Sequence, residues 1–342
     1  MGPDVIVTVT LNAALDVTYL VPRVELHTSH RVGSVSQVGG GKGVNVASVL
    51  VQQGRPVVAT GLLGGTTGDL VRADLDARGL AHRFSPIAGE TRRSVAVVSE
   101  ADGDATVFNE PGPTVTEAEW RGFLADLRAL LAEVRPEVVV ASGSLPPGIP
   151  TDAYAAVVRL AREAGARTIV DTSADALLAA LPAGPDLVKP NRDELLEVTG
   201  EPDAVAGARV LLERGAREVV VSAGAEGLLD VTADGDVWRA HLDAALTGNP
   251  TGAGDAAVAA LASGLADGRS AREALTDAVA WSAAAVLHPL AGHVRPDDVD
   301  GLRARVRVEQ QTTTEQQTTT EQQTTTETAA PHQEDHRAHP AP

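Results

Sequence analysis

The chain has 342 residues, enough for one large domain or two, and 46 Asp+Glu against 28 Lys+Arg leave a formal charge of −18. Only 2% of the residues are aromatic, so neither a basic face nor stacking rings for nucleic acid are available in quantity, and the lack of cysteine excludes disulfides and thiolate metal sites. No apolar run reaches the ~18 residues that span a bilayer, and Met1-Gly2-Pro3-Asp4 leads straight into Val5-Ile6-Val7 without the features of a secretory signal.

A cytoplasmic protein with small-molecule partners, rather than nucleic acid or membrane, is therefore expected. An acidic envelope repels phosphorylated metabolites at long range, so any phosphate site must be a local cluster of Arg, Lys and backbone N–H groups.

Short apolar runs at 4–11, 56–62, 136–142, 167–171, 185–189 and 217–222 read as buried strands. Between them, 43–53, 67–78, 152–164 and 203–214 carry apolar positions at helical spacing, and Gly54, Gly79, Gly165 and Gly215 follow them as C-terminal stops. This β–α alternation predicts an α/β fold, a mainly parallel sheet with helices on both faces, whose ligands collect beyond the carboxyl ends of the strands. Ser142-Gly143-Ser144, Asp171-Thr172-Ser173, Lys189-Pro190-Asn191 and Ser222-Ala223-Gly224 all fall at such ends.

Four further segments, 17–21, 31–38, 94–99 and 105–109, alternate apolar with polar residues. They predict a small antiparallel sheet that serves as a lid over the site or as a subunit contact, the alternative being ordinary hairpins on the main domain. From Glu309 the sequence repeats Glu-Gln-Gln-Thr-Thr-Thr and then becomes rich in His, Pro and Asp. A folded domain over 1–308 and a disordered tail over 309–342 follow, because the repeat has no apolar surface to offset the entropy of ordering.

Lysine occurs only at 42 and 189, Arg supplying every other residue of the Lys+Arg total. Both lie in motif-like segments, Gly39-Gly40-Gly41-Lys42-Gly43-Val44-Asn45 and Val188-Lys189-Pro190-Asn191, which suggests that a compact point charge is wanted there rather than a planar fork. Thr251-Gly252-Ala253-Gly254-Asp255, followed by an Ala/Val/Leu run, reads as a glycine turn into a helix whose free N–H groups bind an anion. Asp255 in the first turn is either a simple helix-dipole partner or a base able to take a proton from a hydroxyl that attacks a bound phosphate.

Seven segments in order carry a pattern: Thr10-Leu11-Asn12-Ala13-Ala14-Leu15-Asp16, the Gly-Gly-Lys-Gly-Val-Asn box at 40–45, Thr91-Arg92, Ser142-Gly143-Ser144-Leu145-Pro146, Lys189-Pro190-Asn191 with Glu194, Ser222-Ala223-Gly224-Ala225-Glu226-Gly227, and the 251–255 loop. Over about residues 4–300 the chain resembles the ribokinase-like sugar kinases of the phosphofructokinase-B type, in particular the branch of 1-phosphofructokinase and tagatose-6-phosphate kinase.

The resemblance implies ATP and Mg²⁺ as cofactors, a ketohexose monophosphate as acceptor with fructose 1-phosphate first, and a homodimer through the lid. It makes Asp255 the base, with the amides of Gly252, Ala253 and Gly254 around the transferring phosphoryl group. Asp16 is assigned to the sugar hydroxyls, Gly40 and Gly41 to close approach of the chain, and Lys42, Asn45 and Arg92, helped by Arg31, to the phosphate already on the sugar. Asn191 and Glu194 would organise Mg²⁺ through water, or merely cap a helix. Lys189, Ser222, Gly224 and Thr251 would follow the ATP phosphates, with Gly227 beside the adenosine half and 281–289 as the wall of the adenine pocket.

Ala13 stands where the pattern usually has Pro, and Pro250 where it more often has Val; neither change removes a charge. Gly252-Ala253-Gly254-Asp255-Ala256-Ala257 also fits the dinucleotide fingerprint, but that fingerprint follows a strand directly, and Asn249-Pro250 interrupts the chain here. A Walker-type loop is excluded by Gly43 after Lys42. A non-catalytic sugar-phosphate sensor remains the reading of another class.

Overall fold

The computed structural model describes residues 5–101, 105–244, 246–288 and 291–311. In chain order the elements are β1 Ile6–Thr10, β2 Ala14–Val21, β3 Ser34–Gly40, α1 Lys42–Gln52, β4 Val57–Gly64, α2 Gly65–Ala77, β5 His82–Ile87, β6 Arg92–Ser99, β7 Ala105–Asn109, α3 Glu117–Val134, β8 Val138–Ser142 and α4 Ala153–Glu163. They continue with β9 Arg167–Asp171, α5 Ala174–Ala180, β10 Leu187–Val188, α6 Arg192–Thr199, α7 Ala204–Glu213, β11 Glu218–Ser222, β12 Leu228–Thr232, β13 Val237–Leu242, α8 Ala253–Ala266, α9 Ala271–Val286, α10 Pro296–Arg303 and β14 Val306–Gln310.

The large sheet has the order β14-β13-β12-β11-β10-β9-β8-β1-β4-β5. Its strands from β5 to β11 run parallel, and β12, β13 and β14 close one edge as an antiparallel meander. Every residue of β1 (Ile-Val-Thr-Val-Thr) is buried, as a strand covered on both faces requires. Its side chains alternate between two cores: Ile6 packs with residues of α1, α8 and α9, whereas Val7 and Val9 pack with residues of α3 and α4. From β1 the chain proceeds to β4 on one side and returns to β8 on the other. This topological switch opens a crevice at the carboxyl ends of the strands, where α/β folds bind ligands.

Helix α8 is buried on all sides from Asp255 to Ala266. Its Ala, Gly and Ser side chains let α1 and α9 pack close by, a central helix being apolar all round. The cost of ordering is small because Ala carries almost no side-chain entropy.

The four alternating segments form their own sheet, β3-β2-β6-β7. Its outer pairs are antiparallel, and the central pair, β2 with β6, is parallel, with Asp16 opposite Ser94 and Ala14 opposite Arg92. Among the described residues no helix is long and apolar enough to cross a membrane.

The expected boundary at 308 moves. Glu309 and Gln310 belong to β14, which pairs with β13, and the Gln311 amide donates to the Val237 carbonyl at 2.8 Å. This edge strand escapes a sequence reading because most of it is exposed, so it carries little apolar signal. The rest of the expected tail, 312–342, lies outside the described residues.

Ending the chain after Gln311 is predicted to leave Tm within about 1 °C of the full chain. Ending it after Arg305 deletes the β14 pairing and lowers Tm by several degrees in a calorimetric scan.

Candidate active site

A cavity of about 690 Å³ lies at the carboxyl ends of the parallel strands and is lined by Asp16, Gly41, Lys42, Asn45, Arg92, Lys189, Asn191, Glu194, Ser222, Gly224, Gly227, Thr251, Gly252, Ala253, Gly254 and Asp255 among others. Residues far apart in the chain meet here because each follows, or faces, a strand end. The cavity's lining also includes the apolar Leu228, Leu242, Leu246, Val279, Ala283 and Val286. Of the segment expected to form an adenine wall, Ser282, Ala283 and Val286 reach the cavity, whereas Trp281 is turned into the core.

Gly252 caps α8 in the left-handed region at φ 84°, and a Cβ there would press on Ala291 at 3.0 Å. This turn aims the start of α8 into the cavity. Among the described residues the amides of Gly252 and Gly254 have no protein acceptor, but that of Ala253 donates to the Pro250 carbonyl at 3.2 Å. Two of the three expected anion donors are therefore free, and the third closes the turn.

Asp255 is only 7% exposed. Burial and the nearby negative charge of Asp171 push its carboxyl up to about 7, against the pull of the Asn45 hydrogen bond and of Lys42 and Lys189. Asn45, expected on the sugar's phosphate, instead donates from Nδ2 to Asp255 Oδ2 at 2.8 Å.

Lys42 also departs from its expected direction. It opens α1 after Gly41 (φ 104°), and its Nζ lies 3.6 Å from Asp171 Oδ2 and 3.7 Å from Glu194 Oε1. Asp171 foremost, with help from Glu194 and Asp255, holds the ammonium above the usual lysine range against the penalty of burial.

Arg92 is held by main-chain carbonyls. Its Nε donates to the Asn12 carbonyl at 3.1 Å and Nη1 to the Glu110 carbonyl at 3.3 Å. Among the described residues no carboxylate forms an ion pair with it within 4.0 Å. Burial draws this guanidinium below its usual range, with Asp16 and Glu110 opposing. An oriented, half-buried cation without an ionic partner is a receptor for an anion.

Asp16 is pushed up to about 6 by burial, with Arg92 and Arg78 pulling it down. Gly40 does not line the cavity but makes room for this carboxylate: a Cβ at 40 would sit 1.9 Å from Asp16 Oδ2. Arg31 is exposed in the β2–β3 connection and does not reach the cavity.

Asn191 and Glu194 form a capping box on α6, the Glu194 amide donating to Asn191 Oδ1 and the Asn191 amide to Glu194 Oε2, both at 2.8 Å. The capped-helix reading is thus realised, and Glu194 still faces the cavity. Among the described residues no group of three or more His, Asp or Glu is arranged to hold a metal. This donor set fits Mg²⁺ that keeps most of its own waters and leans on one carboxylate.

Asp171, which the sequence offered only within a strand-end motif and without a role, ends β9, is buried and lies 3.5 Å from Lys189 Nζ as well as 3.6 Å from Lys42 Nζ. Although burial raises its pKa, Lys189, Lys42 and a hydrogen bond from Ser142 outweigh this and hold it below the usual carboxylate range. The rarity of lysine was the available signal: two isolated ammonium groups near strand ends ask for a shared counter-charge.

Residues 9–298 match the sequence model of the pfkB family carbohydrate kinases. A tagatose-6-phosphate kinase from Staphylococcus epidermidis is 34% identical over 311 residues, covering 89% of this chain and 99% of the relative. Phosphofructokinase-2 from Escherichia coli, solved in complex with potassium, superposes with a TM-score of 0.81 at 31% identity, covering 87% of this chain and 98% of that one. A possible 1-phosphofructokinase from Thermotoga maritima gives 0.79 at 27% identity, covering 90% and 100%.

A carboxyl raised on folding contributes stability that is fully present below its unfolded value of 3.8 and is lost as pH rises through about 7. Asp255→Asn keeps the Asn45 contact and removes the buried charge. Its Tm advantage over the wild type is therefore expected to grow from pH 5 to pH 8 by about 2 °C or more, as read by thermal melts at the two pH values.

Proposed function

Because the chain belongs to the pfkB family of carbohydrate kinases, phosphotransferases with an alcohol group as acceptor, we propose that it transfers the γ-phosphoryl group of ATP to a free hydroxyl of a ketohexose monophosphate, giving a bisphosphate. Fructose 1-phosphate is the first candidate acceptor, and tagatose 6-phosphate, the substrate in the relative's name, the second; fructose 6-phosphate follows. One observation carries this reading: Asp255 lines a single cavity with the unpaired Arg92 and with Lys189.

In this function Arg92 binds the phosphate already on the sugar and Asp16 accepts hydrogen bonds from its hydroxyls. The acceptor hydroxyl then meets Asp255, which takes its proton as the oxygen attacks phosphorus. The free amides of Gly252 and Gly254 hold the phosphoryl oxygens as charge redistributes. Lys189, Ser222, Gly224 and Thr251 follow the nucleotide phosphates, and Gly227 with the apolar part of the cavity lining takes the adenosine. Glu194, seated by Asn191, would hold Mg²⁺ through its water shell, and the ion would neutralise charge on the phosphate oxygens. A homodimer through the lid belongs to the same reading; Val35, Val107 and Phe108 are exposed on that sheet.

Asp255→Asn is predicted to lower kcat by ~10²–10⁴ while ATP affinity stays close to wild type. A coupled ADP-release assay with nucleotide titration measures both. Arg92→Ala removes a charged contact of about 1.5–3 kcal/mol, so KM for the sugar phosphate should rise roughly 10- to 100-fold while KM for ATP changes little. Assayed over a panel of hexose monophosphates, the same variant should lose discrimination against the unphosphorylated sugar. A protein that binds sugar phosphate without turnover would be the sensor instead.

A further inference from the structure

Asp171 ends β9 at the floor of the cavity and is 1% exposed, yet no step above employs it. Its oxygens are divided between the only two lysines of the chain: Oδ2 lies 3.6 Å from Lys42 Nζ, and Oδ1 lies 3.5 Å from Lys189 Nζ. Oδ2 also accepts from Ser142 Oγ on β8 at 3.0 Å. One lysine comes from the start of α1, beside the lid that carries Asp16 and Arg92. The other follows β10 and lies near Gly254, whose added Cβ would stand 3.6 Å from Lys189 Nζ.

These separations are longer than the ~2.7–2.9 Å of a tight charge-assisted hydrogen bond. An ammonium has three donors, so each lysine can keep its contact with Asp171 and still turn donors to phosphate oxygens in the cavity. Resting on the kinase reading, we propose that Asp171 is a positioning residue for phosphoryl transfer, holding Lys42 and Lys189 on the transferring group and its leaving side before the reactants arrive.

The physical gain is pre-organisation. A free lysine side chain loses much rotamer entropy when it is fixed, and a cation that must swing into position during the reaction stabilises the transition state less than one already there. A single buried carboxylate reached from two segments removes that rearrangement for both lysines at once. Glu194 Oε1, 3.7 Å from Lys42 Nζ, adds a second carboxylate to the same ammonium.

Asp171 has a second effect, on the base. Four polar or charged groups face Asp255: Asn45 and Lys42 from α1, Lys189 after β10, and Asp171 from β9. Around Asp171 stand Lys42, Lys189, Ser142 and, from α4, Tyr154, whose hydroxyl donates to the Gly143 carbonyl at 2.9 Å. Of the groups facing Asp255, Asp171 carries the like charge and raises its proton affinity.

The test is the pH profile of kcat/KM together with the split between kcat and KM for Asp171→Asn, which keeps the shape and removes the charge. The expected result is a kcat lower by roughly 10²-fold, a sugar-phosphate KM within about twofold of wild type, and an acid limb displaced to lower pH. A merely structural role would not displace that limb. A folded variant with wild-type kcat and an unmoved limb overturns the proposal. If Asp171→Asn does not fold by circular dichroism, Ser142→Ala keeps both ion pairs and frees the carboxylate to turn: a kcat several-fold lower at unchanged sugar KM supports the proposal, and a wild-type kcat overturns it. A wild-type profile flat through pH 7 counts against Asp255 as the base, while the kcat arm still decides the role of Asp171.

Discussion

A carboxylate withdrawn from water at the start of an alanine helix is the constraint around which the site is built. Left alone in such surroundings, Asp255 would take up a proton and stay neutral at physiological pH. The Asn45 amide and two ammonium groups pull the other way, and Asp171 tempers them. Burial outweighs the pull of the Asn45 hydrogen bond and the two lysines, and the carboxyl stays raised. The outcome is a group that changes charge near neutrality, which is what a general base for a sugar hydroxyl needs.

The rest of the fold serves this balance. Small side chains on α8 bring its first turn against the sheet, and the switch between β1 and β8 gathers strands that end in Ser or Asp or are followed by Lys. The lid supplies the other half: its parallel β2–β6 pair sets Asp16 beside Ser94 and one pleat away from Arg92, so an acid and an oriented guanidinium look into the same cavity. With the chain as a whole at −18, an anionic ligand would meet a favourable field only through such a local reversal of sign. Arg92 contributes because main-chain carbonyls orient it without neutralising it.

Much of this architecture is legible in the sequence. The glycines expected to stop helices, Gly54, Gly79, Gly165 and Gly215, all take positive φ, since only a residue without Cβ leaves a helix that way cheaply. The two lysines and the Gly-Ala-Gly-Asp turn reach one cavity, as their isolation in an Arg-rich chain suggested. What stayed hidden depends on partners distant in sequence. Asn45 resembles a ligand for phosphate until Asp255, far along the chain, is seen to accept its amide. Asp171 looks like an ordinary strand end, since nothing local reveals that both lysines converge on it. The Ala253 amide seemed as free as its neighbours until the carbonyl of Pro250 turned back to it.

The most direct test is a crystal structure of Asp255→Asn with a non-hydrolysable ATP analogue and fructose 1-phosphate bound together. The acceptor hydroxyl should lie ~3 Å from the side chain at 255, with the terminal phosphoryl group over the amides of Gly252 and Gly254 and the sugar's own phosphate on Arg92. Two ligands bound in separate places, or an acceptor hydroxyl turned away from position 255, would contradict the claim that one buried aspartate joins the two substrates.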